Sequence, residues 1–418
     1  MILHEAVLFD LDGTLVDSAP FWIEATREGF SSVYRERGIA EALPSEESIR
    51  DVIGMPDPDG LLALVPSAHR GLVPDLGKAI ARAARARMDD GLLAPYKGAV
   101  EALRALRGEG CAIGVATNGG ASYRNTCIDR CGLRALVDVA HGPDTAEAAT
   151  KAGVVARAME DLDVRRAVLV GDRAQDRDAA QANGVPFVAF LPGYGTEEER
   201  RGAEAVVGGF DELLDLLRER GRRIAAIANG LLAQARAREG PLTVGVTGRL
   251  GVGKTSFADD LARVLRAQGG TVEVVRLDEF EREEEAPRVR RATGDHLAVA
   301  FDLPRFLDTV GFVSRRERLS KGSRSFAIVE GLFLLDERVR GTLDVVVHLE
   351  ASEEAILKRV RARGGAVEED QAREVYLPAQ ASFAQDHPPR NLADLRVENT
   401  NPLRPILVAA KPGDYPAA

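Results

Sequence analysis

The sequence predicts an α/β protein built as two three-layer domains, each a parallel sheet covered by helices. Three observations predict it. The chain has 418 residues, more than one domain of about 100–200 residues accommodates. Short, nearly continuous apolar runs alternate with amphipathic helical patterns, as strands buried on both faces require. The alternation also occurs twice, once from Glu5 to about Arg220 and again from Pro241 onward. The division falls near residue 221, giving domains over 1–220 and 221–418.

In the first run, strands are expected over Ala6–Phe9, Ala112–Ala116, Ala167–Val170 and Phe187–Phe190, with helices such as Ala99–Leu106 and Lys151–Leu162 between them. Residues 18–94 interrupt this pattern with helix-like segments, scattered Gly and Pro, and no strand. They read as a helical insertion after the first strand. Phe21 and Trp22, on its first helix, are assigned to its interior. Asp211–Arg220 reads as a closing helix with Leu213, Leu214, Leu216 and Leu217 on its apolar side. Gly221-Arg222-Arg223 is expected to break it before a further helix over Ile224–Arg238. In the second run, strands are expected over Leu242–Thr247, Thr271–Leu277, Phe326–Val329 and Leu343–Leu349. The tail after Pro402 reads as a loose end.

Composition narrows the function classes. With 55 Lys+Arg against 65 Asp+Glu, the net charge is −10, which weighs against a nucleic acid partner gathered by the overall field. Three Cys cannot form a disulfide framework and point to a reducing interior. Cys127 and Cys131 lack the further ligands of a zinc site and read as a buried apolar pair. No apolar run approaches the roughly 20 residues that span a bilayer. The amino terminus reaches Glu5 and Asp10 without a basic flank, unlike a signal peptide. The expectation is a cytoplasmic protein with no membrane partner.

Val7-Leu-Phe-Asp10-Leu-Asp12-Gly-Thr14 places two carboxylates straight after a buried strand, where open parallel sheets gather their chemistry. Two more strands end alike, in Thr117-Asn118 and in Gly171-Asp172 with Asp176 following, and Lys151 opens the helix before the latter. A single Asp at such a position is ordinarily a turn former or helix cap, as expected for Asp178. Several together, with one Lys and one Thr, describe a Mg²⁺ and phosphoryl site. These residues resemble the haloacid dehalogenase superfamily, in its capped, phosphoglycolate phosphatase-like form. Phe9-Asp10-Leu-Asp12-Gly-Thr-Leu-Val-Asp17-Ser matches the first motif of that family, Thr117-Asn118 the second, Lys151 the third and Gly171-Asp172-Arg-Ala-Gln-Asp176 the fourth. The resemblance covers about residues 1–220 and implies a Rossmann-like phosphatase core whose insertion at 18–94 is a mobile cap. It implies Asp10 as the nucleophile that forms an aspartyl-phosphate and Asp12 as general acid, then base. Thr117 and Lys151 would hold the phosphoryl group, Asn118 would meet the substrate, and Asp10, Asp12 and Asp172 would hold Mg²⁺. Asp176 would support the metal or orient Lys151. Asp12, which a dehalogenase does not need, favours a phosphatase or phosphomutase.

Gly248-Arg-Leu-Gly251-Val-Gly253-Lys254-Thr255 fits the G-x-x-x-x-G-K-[ST] pattern between an apolar strand and an amphipathic helix. Gly248, Gly251 and Gly253 would let backbone N–H groups face the phosphates of ATP. Lys254 would reach the β and γ phosphates and Thr255 would ligate Mg²⁺. Asp278 and Glu330 close two further strands, one suited to act as base and the other to assist the metal. Lys358, Arg359, Arg361 and Arg363 form a basic run that suits a lid over phosphates. This half resembles the uridine kinase and phosphoribulokinase family. The resemblance is carried by Leu277-Asp278-Glu-Phe, Asp295-His296…Ala300-Phe301-Asp302, Val329-Glu330-Gly331 and Ala393-Asp394-Leu…Asn399-Thr400. It implies a P-loop kinase fold, with Asp278 as catalytic base, Asp295 and His296 in the acceptor site, Glu330 near Mg²⁺, and Arg359 and Arg363 as lid arginines. Glu281 stands where uridine kinases carry an aromatic, which weighs against uridine itself as the acceptor.

The combined expectation is a bifunctional enzyme. One half removes phosphate from a small phosphomonoester, and the other transfers phosphate from ATP to a small nucleoside-like or sugar-like hydroxyl compound. Acting on the same hydroxyl, the two would only hydrolyse ATP, so different substrates, positions or times are required. Two alternatives stand beside this. One is polynucleotide end repair, disfavoured by a cap that obstructs a polymer. The other is a single active domain controlled by the other as a binding module. Oligomeric state stays open.

Overall fold

β1 (Ala6–Phe9) is buried at all four positions, as a strand with neighbours on both edges and helices on both faces must be. The computed structural model describes residues 1–56, 58–147, 150–236, 240–282, 297, 300–316 and 324–410. After β1 come β2 (Val16–Asp17), α1 (Ala19–Arg37), α2 (Glu46–Val52), α3 (Asp59–Leu64), α4 (Val73–Arg87), β3 (Ala94–Pro95), α5 (Ala99–Gly108) and β4 (Ala112–Ala116). Then follow α6 (Ala121–Arg130), β5 (Val139–His141), α7 (Lys151–Asp161), β6 (Ala167–Gly171), α8 (Ala174–Ala182), β7 (Phe187–Phe190), α9 (Glu197–Arg200), β8 (Ala205–Val207) and α10 (Phe210–Arg236). Six strands join in the order β5-β4-β1-β6-β7-β8, every pair parallel. Phe9 stands level with Val115 and Val170, so Asp10, Thr117 and Asp172 follow three adjacent strands at one edge of the sheet.

Helices α1–α4 form the insertion, entered and left through the antiparallel pair β2–β3, with Val16 opposite Pro95 and Asp17 opposite Ala94. The sequence gives no sign of these two-residue strands, which exist only because the two ends of the insertion meet. The insertion has its own core of Phe30, Val33, Tyr34, Val65 and Leu76. At Gly29 its helices α1 and α4 approach so closely that a Cβ there would lie 2.6 Å from Ile80.

One expectation is corrected outright: α10 runs unbroken through Gly221. A helical glycine costs about 1 kcal/mol. Burial of Leu213, Leu216, Leu217, Ile224, Ile227 and Leu231 along one stripe contributes roughly 1.5–3 kcal/mol for each side chain, and outweighs it. Contact density separates two units, Ile2–Asp215 and the residues from Leu216 onward.

The second unit is a second α/β sheet: β9 (Leu242–Gly248), α11 (Lys254–Ala267), β10 (Thr271–Arg276), β11 (Ser325–Glu330), β12 (Val345–Glu350), β13 (Leu395–Glu398) and β14 (Ile406–Ala410). The order is β10-β11-β9-β12-β13-β14, parallel up to β13 and antiparallel at β14. Residues 406–410, read from sequence as part of a loose tail, are therefore an edge strand. Their alternating exposure matches a strand with one covered face. Residues 411–418 lie outside the described residues. Among the described residues, no helix is long and apolar enough to cross a membrane.

Candidate active site

Three buried carboxylates meet beyond β1 and β6. Asp10, Asp172 and Asp176 each bring an oxygen within 4.8 Å of the others. The Lys151 ammonium, at the start of α7, lies 2.5 Å from Asp10 Oδ1 and 2.9 Å from Asp176 Oδ1. Asp172 Oδ2 accepts from the backbone N–H groups of Tyr194 (2.7 Å) and Gly195 (3.2 Å), and Asp172 Oδ1 from the Thr14 hydroxyl (3.3 Å). Asp176 Oδ2 accepts from the Arg173 N–H at 3.0 Å. Gly13 is the hinge of this arrangement, with φ at +78°, and a Cβ on it would stand 2.6 Å from Asp172 Oδ2. Thr117 follows β4 beside them, buried, with its hydroxyl accepting from the Gly119 N–H at 3.1 Å.

Burial pushes the Asp10 carboxyl well above its ordinary range, although Lys151 pulls it back. Burial and the neighbouring Asp176 raise Asp172 to about 7. Burial opposes the charge on Lys151, but Asp10 and Asp176 outweigh it and hold the ammonium firmly protonated. One ammonium among three buried acids leaves an excess of negative charge. Hard oxygen donors with such an excess suit a divalent cation of the Mg²⁺ type.

Asp12, two residues beyond Asp10, points elsewhere. It opens onto a cavity of about 260 Å³ between the core and the insertion, lined also by Trp22, Asn118 and Tyr123. Burial raises its carboxyl above the ordinary range, held back by hydrogen bonds that include one from Tyr123. The Tyr123 hydroxyl donates to Asp12 Oδ1 at 2.5 Å and accepts from the Trp22 indole N–H at 3.1 Å. Trp22 therefore reaches the site, unlike Phe21, which is buried in the insertion as expected.

Residues 7–190 match the family model for haloacid dehalogenase-like hydrolases. A phosphoglycolate phosphatase of Caulobacter vibrioides is 32% identical over 216 residues, covering 49% of this chain and 86% of that protein. The chain belongs to the haloacid dehalogenase-like hydrolases. An N-acetylmuramic acid 6-phosphate phosphatase of Pseudomonas aeruginosa is 28% identical, covering 51% of this chain and 94% of that protein. A haloacid dehalogenase-like hydrolase structure from Streptococcus pneumoniae aligns with a TM-score of 0.45 at 20% identity, covering 51% of this chain and 98% of that one.

The hydrolase unit ties its cap to its core through three side chains, Arg173, Asn118 and Tyr194, of which the sequence pointed only to Asn118, and to that one as a substrate residue. The buried Arg173 guanidinium donates to the carbonyls of Arg50 (3.1 Å), Asp51 (2.9 Å) and Ile53 (2.9 and 3.2 Å), around the carboxyl end of α2. Cation and helix C-terminus are matched there in charge. Asn118 Nδ2 donates to the Gly54 carbonyl and to Gln175 Oε1, both at 2.9 Å, so its amide faces the cap as well as the cavity. The Tyr194 hydroxyl donates to Asp17 at 2.9 Å and accepts from the N–H groups of Ser18 and Ala19 at the cap hinge. Arg173 is visible in the fourth motif, but nothing in sequence says that its side chain reaches from Asp172 and Glu199 to the cap carbonyls. Cys111, Cys127 and Cys131 are all buried and in no disulfide.

In the other unit of this hydrolase, Gly248–Gly253 links β9 to α11. Gly248, Gly251 and Gly253 all have positive φ, at 148°, 69° and 95°, a backbone that side-chain-bearing residues rarely adopt. Lys254 donates to the Arg249 carbonyl at 3.1 Å. Burial works against its charge, partly offset by Glu330 and Asp278. Burial raises Glu330, at the end of β11, against the pull of Lys254. Thr255 follows Lys254 in the first turn of α11. Asp278 and Arg363 line a cavity of about 440 Å³. Arg363 pairs with Glu368 at 2.6 Å. The Arg359 guanidinium is instead spent on backbone carbonyls, of Gly251 and Val252 (3.3 Å) and of Asn399 and Thr400 (2.8 Å), so that it braces the glycine loop. Asp295 and His296 lie outside the described residues.

Proposed function

We propose that the first unit is a Mg²⁺-dependent phosphatase of a small phosphomonoester, working through an aspartyl-phosphate on Asp10. The observation that carries the reading is the pairing of the buried Asp10–Lys151 contact with a separate acid, Asp12, facing the cavity. Asp10, Asp172 and Asp176, with the backbone of Asp12, would hold the cation. When bound, Mg²⁺ supplies charge neutralisation that lets the phosphoryl group approach an anionic nucleophile. The Asp10 carboxylate forms the new P–O bond as the ester P–O bond breaks. Asp12, raised by burial, gives its proton to the departing alcohol oxygen and then takes one from the water that attacks the aspartyl-phosphate. Lys151 and the Thr117 hydroxyl hold the phosphoryl oxygens. The relatives act on phosphoglycolate and on N-acetylmuramic acid 6-phosphate, by their names, in keeping with a small ester. Asp10→Asn should abolish phosphate release across a phosphomonoester panel with Mg²⁺, and unchanged release refutes the assignment.

A second reading concerns the other unit: transfer of phosphate from ATP to a small hydroxyl compound. The positive-φ glycine loop, with Lys254, Glu330 and Asp278 within electrostatic reach of one another, supports it. Lys254 and Thr255 would meet ATP and Mg²⁺, Asp278 would accept the acceptor's proton, and Arg363 would close over the phosphates. Asp295 and His296 keep their place in the proposed acceptor site. Sharing one hydroxyl at one time would make the pair an ATPase, so the two units would work on different substrates, at different positions or at different times. Loss of ATP-dependent phosphorylation in Lys254→Ala, with phosphatase activity retained, is the expected result, and retained transfer defeats the reading.

A further inference from the structure

We propose that the alcohol part of the hydrolase's ester is uncharged and apolar, and is not a phosphorylated carboxylic acid. This rests on the phosphatase reading above. Asp12 stands on the wall of the 260 Å³ cavity. The atom that it protonates is the ester oxygen, so the carbon skeleton attached to that oxygen is directed toward this cavity.

Most of the wall that the skeleton meets is hydrocarbon, from side chains that include Trp22, Ile49, Met55, Leu61, Leu64 and Ile80, with glycine backbone between them. Among the described residues lining it, none is Lys, Arg or His. Its polar side chains are mostly committed. Asn118 donates to Gly54 and Gln175, Tyr123 to Asp12, and Trp22 to Tyr123. Thr26, the remaining one besides Asp12, is uncharged. The Arg173 guanidinium is held by cap carbonyls.

A carboxylate placed here would lose its water, gain no cation and face Asp12. Burying an uncompensated charge is costly, whereas burying a methyl group is favourable. Glycolate and muramic acid, the acids in the relatives' names, carry the charge that this wall cannot meet. The two-carbon glycolate would also leave most of the cavity empty.

The test uses the full chain with Mg²⁺ and two matched pairs that differ only in a terminal methyl or carboxylate. Hydrolysis is compared for hexyl phosphate and 6-phosphooxyhexanoate. Binding is compared by calorimetry for hexylphosphonate and 6-phosphonohexanoate. The alkyl member should be favoured by about a hundredfold or more in kcat/KM, and in the same sense in affinity. Met55→Lys should narrow both gaps by roughly tenfold, the size of one solvent-accessible ion pair brought into the cavity. Equal or better handling of the carboxylates by the wild type overturns the inference. If neither ester is hydrolysed, the phosphatase reading falls, and the phosphonate titration still decides which skeleton the cavity takes.

Discussion

Arg173→Met is the sharpest test of how the cap is held. The substitution keeps an unbranched apolar stem and the backbone N–H that caps Asp176, but removes the guanidinium. That group makes four hydrogen bonds to the cap carbonyls of Arg50, Asp51 and Ile53 and pairs with Glu199 at 3.4 Å. Each bond to a charged donor contributes up to about 1.5–3 kcal/mol, but an open cap lets water replace much of it. A net loss of about 2–3 kcal/mol is a reasonable figure, which shifts the closed-to-open ratio roughly 30- to 150-fold. The chain carries its own reporter, because Trp22 is its single Trp. Its ring centroid lies 5.0 Å from that of Tyr123 in the core. Arg173→Met should therefore red-shift Trp22 emission and raise its quenching by acrylamide. KM should rise more than kcat falls, since saturating substrate restores closure. Unchanged emission and unchanged KM in a folded variant would refute the latch.

Two further outcomes are expected. Asp172 titrates at about 7 because of burial and Asp176, and only its ionised form binds a cation. Mg²⁺ affinity measured by calorimetry should thus fall by about tenfold or more for each pH unit below 7, since Asp10, also raised by burial, takes up a proton there as well. Gly29→Val places its Cβ against the Ile80 backbone and side chain, so the cap should lose roughly 1–3 kcal/mol by overpacking. Denaturant unfolding followed at Trp22 reads that loss directly.

Much of the scaffold is legible in the sequence, because buried parallel strands write themselves as short apolar runs. β1, β4, β6 and β7 lie within a residue of where the runs put them. The acids are legible for a related reason, since a polar residue directly after such a run has few places to go. β5 and β8 are only three residues each, and β13 alternates Leu and Val with Arg and Glu, so none of them writes itself as an apolar run. Gly221 misleads because local propensity is a small term beside a continuous apolar stripe. Trp22, Tyr123 and Tyr194 are silent for a different reason. The Trp22–Tyr123 bond spans 101 residues and the Tyr194–Asp17 bond 177, so no local pattern carries either.

The pair β2–β3 sets how the cap can move. Both covalent links between cap and core pass through it side by side, and Asp17 within it is held by the Tyr194 hydroxyl. Two neighbouring connections behave like a door with both leaves of its hinge on one post: they permit swinging about one axis and resist sliding and twisting. Such a cap has little conformational search to make between open and closed. Each return brings Trp22 to the same place above Asp12, and the loss of freedom on closing is confined to one angle, which leaves more of the substrate's binding energy for the chemistry itself.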